Sequence, residues 1–307
     1  QMTFAIITVA LVAGGVADRM RFSAFVAFCV LWLFIVYVPI AHWVWGGGFL
    51  GAAGVIDFAG GTVVHINAGI AGLVGAYVLG TRRGYGHENL APFDLSLAVV
   101  GTGLLWVGWF GFNGGSALGA NSRAVMAIVA THLAASAGAI TWMALEWWTR
   151  GKPSVLGMIS GAVAGLGTIT PASGFVMPMQ AVAIGLIAGA ICFWACTWLK
   201  IKVGYDDSLD VFGVHGIGGF TGTLLAGVFA VAALSVSPDA PKDIAGLLEG
   251  NPQQVEAQLS GIVVTIVWSA FVTFVILKVI EFFVPLRVKQ EDEVMGLDVS
   301  QHGEALQ

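Results

Sequence analysis

Apolar stretches about as long as a membrane is thick dominate this chain and leave few ways to fold it. Runs long enough for a helical span of about 20 residues occur at roughly 1–17, 22–40, 57–79, 95–115, 122–148, 155–171, 176–199, 211–236 and 258–286. Hydrophobic residues are 57% of the chain, charged ones 10%, and mean hydropathy is +0.88. Soluble domains run at roughly 45–50% apolar and 25% charged. The expectation is an all-α, polytopic membrane protein of nine spans, the first incomplete. The 43 glycines fit that reading, because small residues let helix backbones approach closely in lipid. Cys29, Cys192 and Cys196 lie inside apolar runs and read as small buried hydrophobes, with no metal or disulfide pattern. With a net charge of −5 and no basic run, no nucleic-acid partner is expected. No signal peptide is visible and Gln1 lies inside an apolar run, which reads as a piece of a longer protein.

The connections between runs alternate in Lys and Arg. Arg19 and Arg21, Arg82 and Arg83, Arg150 and Lys152, Lys200 and Lys202, and Arg287 and Lys289 follow the odd-numbered runs, whereas the other set holds only Arg123 and Lys242. Cytoplasmic loops carry the excess of positive charge, so the first set and the C-terminus are expected in the cytoplasm, with Gln1 near the outer face. Residues 1–287 then form the membrane domain and 288–307 a polar cytoplasmic tail carrying Glu291, Asp292 and Glu293.

A repeat runs through this arrangement. The stretch DFAGGTVVHINAGIAG, Asp57 to Gly72, is written again as DSLDVFGVHGIGGFTG, Asp207 to Gly222, so that Asp57, Val64, His65, Gly69 and Gly72 fall on Asp207, Val214, His215, Gly219 and Gly222. By the charge alternation the third run enters inward and the eighth outward. The copies are therefore antiparallel, the mark of an inverted repeat whose binding site lies where the halves meet. The second run then pairs with the seventh and the first with the sixth, leaving the fourth and fifth without partners. The expected whole is eleven spans, five, five inverted and one more, with two missing upstream.

An ionisable residue within a span is expensive and is by default a functional candidate. His65, His132 and His215 qualify. His132 has no counterpart in the repeat and reads as a helix-to-helix hydrogen bond. A twofold axis in the membrane plane brings His65 and His215 together, where two neutral imidazoles can share a hydrogen bond. Asp57 stands where a helix N-cap belongs, and Asp207 or Asp210 does the same in the second copy; a structural cap and a group that attracts cations are both open readings. The stretches HWVWGGG and GWFGFNGGSA bring Trp43, Trp45, Trp109, Phe112 and Ser116 to the outer side. Aromatic residues gather at interfaces anyway, but the same residues could form a cage that binds a cation by ring faces, with Ser116 as acceptor.

The segments QMTFAIITVALVAGG with Phe4, PIAHWVWGGG, DFAGGTVVHINAGIAGLVGAY, GWFGFNGGSA, DDSLDVFGVHGIGG and the tail GLDVSQHGE resemble the ammonium transporter family, of the bacterial Amt type with Rhesus glycoproteins as relatives. The resemblance covers essentially the whole chain. It implies an eleven-span fold in which this sequence begins within the third span, agreeing with the count from the repeat. It also implies that Trp45 and Ser116 form an external cation site, with Phe4 stacked above Phe112 as a gate beneath it. His65 and His215 would be the paired histidines of the pore, Asp57 would support the external site, Trp109 would line the path and Ser160 would lie toward the inner vestibule. Ammonium or ammonia is the implied substrate, with methylammonium as a candidate, and no cofactor. The implied setting is a homotrimer in the bacterial inner membrane, with a PII signalling protein as partner at the cytoplasmic face.

Rival classes make different demands. A water or glycerol channel calls for paired Asn-Pro-Ala motifs, which do not occur in the sequence. A metal-dependent membrane enzyme could use His and Asp as ligands, but the acids lie a helical turn or more from the histidines and no third ligand type accompanies them at ligand spacing. An ammonium sensor would share the same residues and signal through the tail.

Overall fold

The computed structural model describes residues 1–88, 90–235 and 244–304. Among the described residues nine long apolar helices answer the nine apolar runs. They are α1 (Met2–Val16), α2 (Phe22–Trp32, continuing through Leu33–Tyr37 to Val38–Trp45), α3 (Gly61–Leu79), α4 (Leu95–Gly115), α5 (Ser122–Arg150), α6 (Val155–Ile169), α7 (Pro178–Val203), α8 (Phe212–Phe229) and α9 (Gln253–Phe283). No strand occurs among the described residues. The fold is that of an all-α polytopic membrane protein. Several ends differ from the sequence expectation, α2 running on to Trp45 and α7 to Val203 among them. Residues 57–60 form a capping loop ahead of α3, α8 stops at Phe229, and α9 starts at Gln253. Lys242, counted with the sparse set of charges, lies outside the described residues.

The inverted pairing is visible in local geometry. α2 and α7 each contain a π turn, at Leu33–Tyr37 and Ala195–Leu199, and α3 and α8 each open with one, at Gly61–Ile66 and Phe212–Gly216. π turns are rare and gather at functional sites, so their recurrence in paired spans is a fold-level signature. Gly72 packs against Gly15 near the end of α1, and its counterpart Gly222 packs against Thr168 near the end of α6. Glycine is required at Gly15 and at Gly222, since a Cβ there would meet the backbone of Gly72 and of Thr168 respectively. Along α3 the neighbours on α8 run backwards: Gly61 faces Thr223, Gly69 faces Gly216 and Gly72 faces Val211. α3 and α8 therefore cross antiparallel, with the histidines at the crossing.

The apolar exterior suits hydrocarbon. Leu104, Val107, Val267 and Phe271 are all exposed, and in water such a surface would drive aggregation. At the basic end the ends of several helices are braced by buried charge. Arg19 is fully buried and donates to Gly15, Ala17, Gly80 and Asp206 carbonyls and to Ser208 Oγ. Arg82 grips the Asp206 carboxylate at 2.8 and 3.0 Å and reaches Asp18 at 3.1 Å. Burial pushes Asp206 upward, but the hydrogen bonds and charge of Arg82 outweigh it and hold the carboxyl below its usual range. The residues after α9 dock on this end. Arg287 pairs with Glu293 at 2.8 Å and donates to the carbonyls of Leu79 and Thr81, Glu293 accepts from the Arg83 amide, and the His302 ring meets Phe22 edge-on at 4.7 Å.

Candidate functional site

The first copy of the repeat starts with a turn that only a flexible residue permits. Gly60 takes φ +120°, and behind it Asp57 points its carboxylate back into the first turn of α3. Oδ1 accepts from the Gly60 and Gly61 amides at 2.7 and 2.6 Å, and Oδ2 accepts from the Thr62 amide at 2.8 Å, the Thr62 hydroxyl at 2.5 Å and the Val63 amide at 3.2 Å. The charge compensates the exposed amides of the helix start. Both oxygens are spent on α3, so the carboxylate acts on the site through the helix it holds. Gln258 on α9 fixes the preceding loop, exchanging hydrogen bonds with both backbone groups of Ile56 at 2.8 Å.

From this anchor the aromatic groups line up. Trp45, at the end of α2, donates its indole N–H to the Asp57 carbonyl at 2.7 Å. Its ring meets Phe4 of α1 at 5.5 Å, and Phe4 tilts against Phe112 of α4 at 4.3 Å. Trp43 points elsewhere, packing with Phe49 and Trp268 at 5.3 and 5.1 Å. Ser116 caps α4 one turn beyond Phe112 and donates to the Phe112 carbonyl at 2.8 Å. Ser160 is half-buried on the second turn of α6.

Below Phe112 three rings stack. Trp109 lies on His65 at 5.6 Å and His65 on His215 at 5.1 Å, both pairs within 14° of parallel. The Nδ1 atoms of the two histidines are 3.2 Å apart, so one ring donates and the other accepts. Both rings are buried, at 1% and 7% exposure. Outside this shared bond, His65 Nε2 is buried without a partner. The Trp109 indole is held by Thr170 Oγ1 at 2.8 Å. A cavity of about 310 Å³ opens against His65, Trp109 and Phe112, its other walls being Thr3, Ile7, Leu104, Leu105 and Gly108. His132 stands apart on α5, exposed and in ring contact with Trp106 and Phe110.

The second copy is capped differently. Asp207 accepts from the Phe212 amide at 2.7 Å, while its Oδ1 is buried without a partner. Asp210, in a left-handed conformation at φ +57°, takes Lys200 Nζ at 2.7 Å, and the same ammonium reaches the Asp207 carbonyl. Burial first, and then the nearby Asp210 charge, push the Asp207 carboxyl up to about 6 against the lowering effect of its amide hydrogen bonds.

The description "Ammonium Transporter Family" matches residues 1–306 of the chain. The chain belongs to the ammonium transporter family. The ammonium transporter of Aquifex aeolicus is 52% identical over 304 residues, covering 99% of this chain and 69% of that protein. The ammonium transporter of Bacillus subtilis is 49% identical over 304 residues, covering 99% and 74%. Among solved structures, Candida albicans Mep2 superposes with a TM-score of 0.88 at 38% identity, covering 94% of this chain and 65% of that one. A structure named "Sensor Amt Protein" gives 0.89 at 31%, covering 98% and 75%. The chain thus spans about two thirds to three quarters of the length of these relatives. The family and its Aquifex and Bacillus members are named as transporters, not enzymes.

Within this member of the ammonium transporter family, the structure unites Phe4, Trp45, Phe112, Trp109, His65 and His215 in one aromatic column. Sequence reasoning passed over Thr170, Thr62 and Gln258, which aim Trp109, seal Asp57 and tie down the loop before α3. The only written signal was their position, Thr62 inside the repeated stretch and Thr170 just before Pro171.

Proposed function

We propose that this chain carries ammonium nitrogen across the bacterial inner membrane, with the positively charged loops and the C-terminus in the cytoplasm. The observation that carries the reading is the buried Nδ1 contact of 3.2 Å between His65 and His215, two equivalent positions of an inverted repeat. Ammonium is recruited at the aromatic cluster, where Trp45 offers a ring face and Ser116 an acceptor. Phe4 and Phe112 form the gate, Trp109 lines the path, the histidines receive the substrate, and Ser160 stands toward the exit. Asp57 supports the entrance by holding α3 and the Trp45 indole in one frame.

Magnitudes favour passage as ammonia at the histidine level. Removing a proton at pH 7 from an amine of pKa about 10.4 costs about 4–5 kcal/mol. Carrying the bare ion through an apolar site costs at least several kcal/mol, toward an idealised limit of order 20. Potassium matches ammonium in charge but has no proton to leave behind, and this is the discrimination. The histidine bridge supplies N–H donors and nitrogen acceptors that hand the substrate along.

Assembly as a homotrimer with one path per subunit, and regulation by a PII protein at the cytoplasmic face, belong to the same proposal. A second reading, an ammonium sensor, is favoured by the docked segment after Arg287 and by the neighbour named a sensor. Uptake of ammonium into proteoliposomes tests the transport reading. Measurable flux supports it, and ammonium binding with no flux leaves the sensor.

A further inference from the structure

α6 carries several glycines that do two different jobs. Gly161 and Gly165 press on the backbone of α5 near Gly138 and Ala134, where a Cβ could not fit. Gly167 is equally buried but faces something else. A Cβ built there lies 3.6 Å from His215 Nδ1 and 3.9 Å from His65 Cε1, and among the described residues no third atom beyond the adjoining residues and backbone of α6 itself comes within 4 Å. Interior side chains ordinarily touch many neighbours in a close-packed core. An interior position whose first carbon would meet only the edges of two imidazoles borders free space, and that space lies beside the histidine bridge.

We propose that Gly167 is a specificity-determining residue of the path, its missing side chain setting the width available beside the two imidazoles. This rests on the transport reading above. The helix could carry alanine here without clash, since both distances are ordinary van der Waals contacts. Glycine is therefore there for the space it leaves and not for helix packing. An added methyl group narrows the passage for any substrate, and it acts most on one that carries a methyl group of its own. Ammonia, the smallest amine, still passes, whereas methylamine is held back.

The test is ammonium and methylammonium uptake by the wild type and Gly167→Ala in proteoliposomes, with Gly101→Ala on α4, where a Cβ meets nothing within 4 Å, as the comparison and the size-exclusion profile of each protein recorded. Gly167→Ala is expected to fold and to lower methylammonium uptake relative to ammonium by about tenfold, the lower end of what one methyl group is worth in a tight apolar site. An unchanged ratio of the two substrates overturns the assignment, as does a Gly167→Ala protein that no longer folds, or the same change of ratio in Gly101→Ala. A wild type that transports neither substrate overturns the transport reading, and the assignment with it.

Discussion

Trp45 and Asp57 are joined by one hydrogen bond, from the indole N–H to the backbone carbonyl at 2.7 Å, and through it the outer aromatic cluster is fixed to the helix that carries His65. The Asp57 side chain closes the other half of the joint by holding the first turn of α3. Geometry at the entrance is therefore inherited by the histidine level.

Asp57→Ala should consequently damage folding and transport together. Losing a carboxylate that accepts from four amides and a hydroxyl is expected to cost about 3 kcal/mol, above the usual range for a helix cap because the group is buried and charged. Asp57→Asn should retain part of this. Thermal melting in detergent orders the three proteins; an alanine variant that melts with the wild type would contradict the capping account.

Asp207 makes the second copy sensitive to pH. Its folded pKa of about 6 stands above the ordinary carboxylate value of about 3.9. The folded state thus binds the proton more tightly than the unfolded one, so the contribution to stability is full below about pH 4 and is lost as pH rises through about 6. The loss is on the order of 2–3 kcal/mol. Asp207→Asn should flatten this part of the stability profile between pH 4 and 7. Denaturation at several pH values, compared as the difference between variant and wild type, checks it, and a difference that does not vary with pH would count against the assignment.

The Arg287–Glu293 pair is the clasp of the tail. Glu293→Ala should release residues 290–304 while leaving the membrane helices in place, because Glu293 touches no residue of the path. The expected signature is faster amide exchange in that segment with ammonium flux unchanged, and loss of inhibition by a PII protein. Deletion of 290–307 should give the same uncoupling. Flux and nitrogen-dependent inhibition that both survive the deletion would refute the regulatory role.

How far the sequence reached is clear from particular residues. The nine spans were legible because hydrocarbon thickness fixes helix length, and the histidine pair because duplication writes equivalent positions twice. Residue type alone did not separate Trp43 from Trp45, since both suit an interface; the family resemblance singled out Trp45, and the turn of α2 sends it toward Phe4. Arg19 and Arg82 come together at one end of the helices, as the charge pattern led one to expect, yet their buried bracing of Asp206 depends on helix ends that meet only after folding. The π turns gave no sign, because they arise from one extra residue in a helix and alter no hydrophobic pattern. Gly167 looked like every other glycine of α6 until the neighbours were known.

The most direct test of the account is potassium and ammonium uptake in proteoliposomes by the wild type, His65→Asp and the His65→Ala/His215→Ala double variant. A carboxylate at position 65 places negative charge beside the path and lowers the cost of a whole cation, so His65→Asp should begin to pass potassium. The double alanine variant should lose the donors and acceptors and with them most ammonium transport. If all three carry ammonium equally and reject potassium equally, the histidine pair is structural and the mechanism proposed for it is wrong.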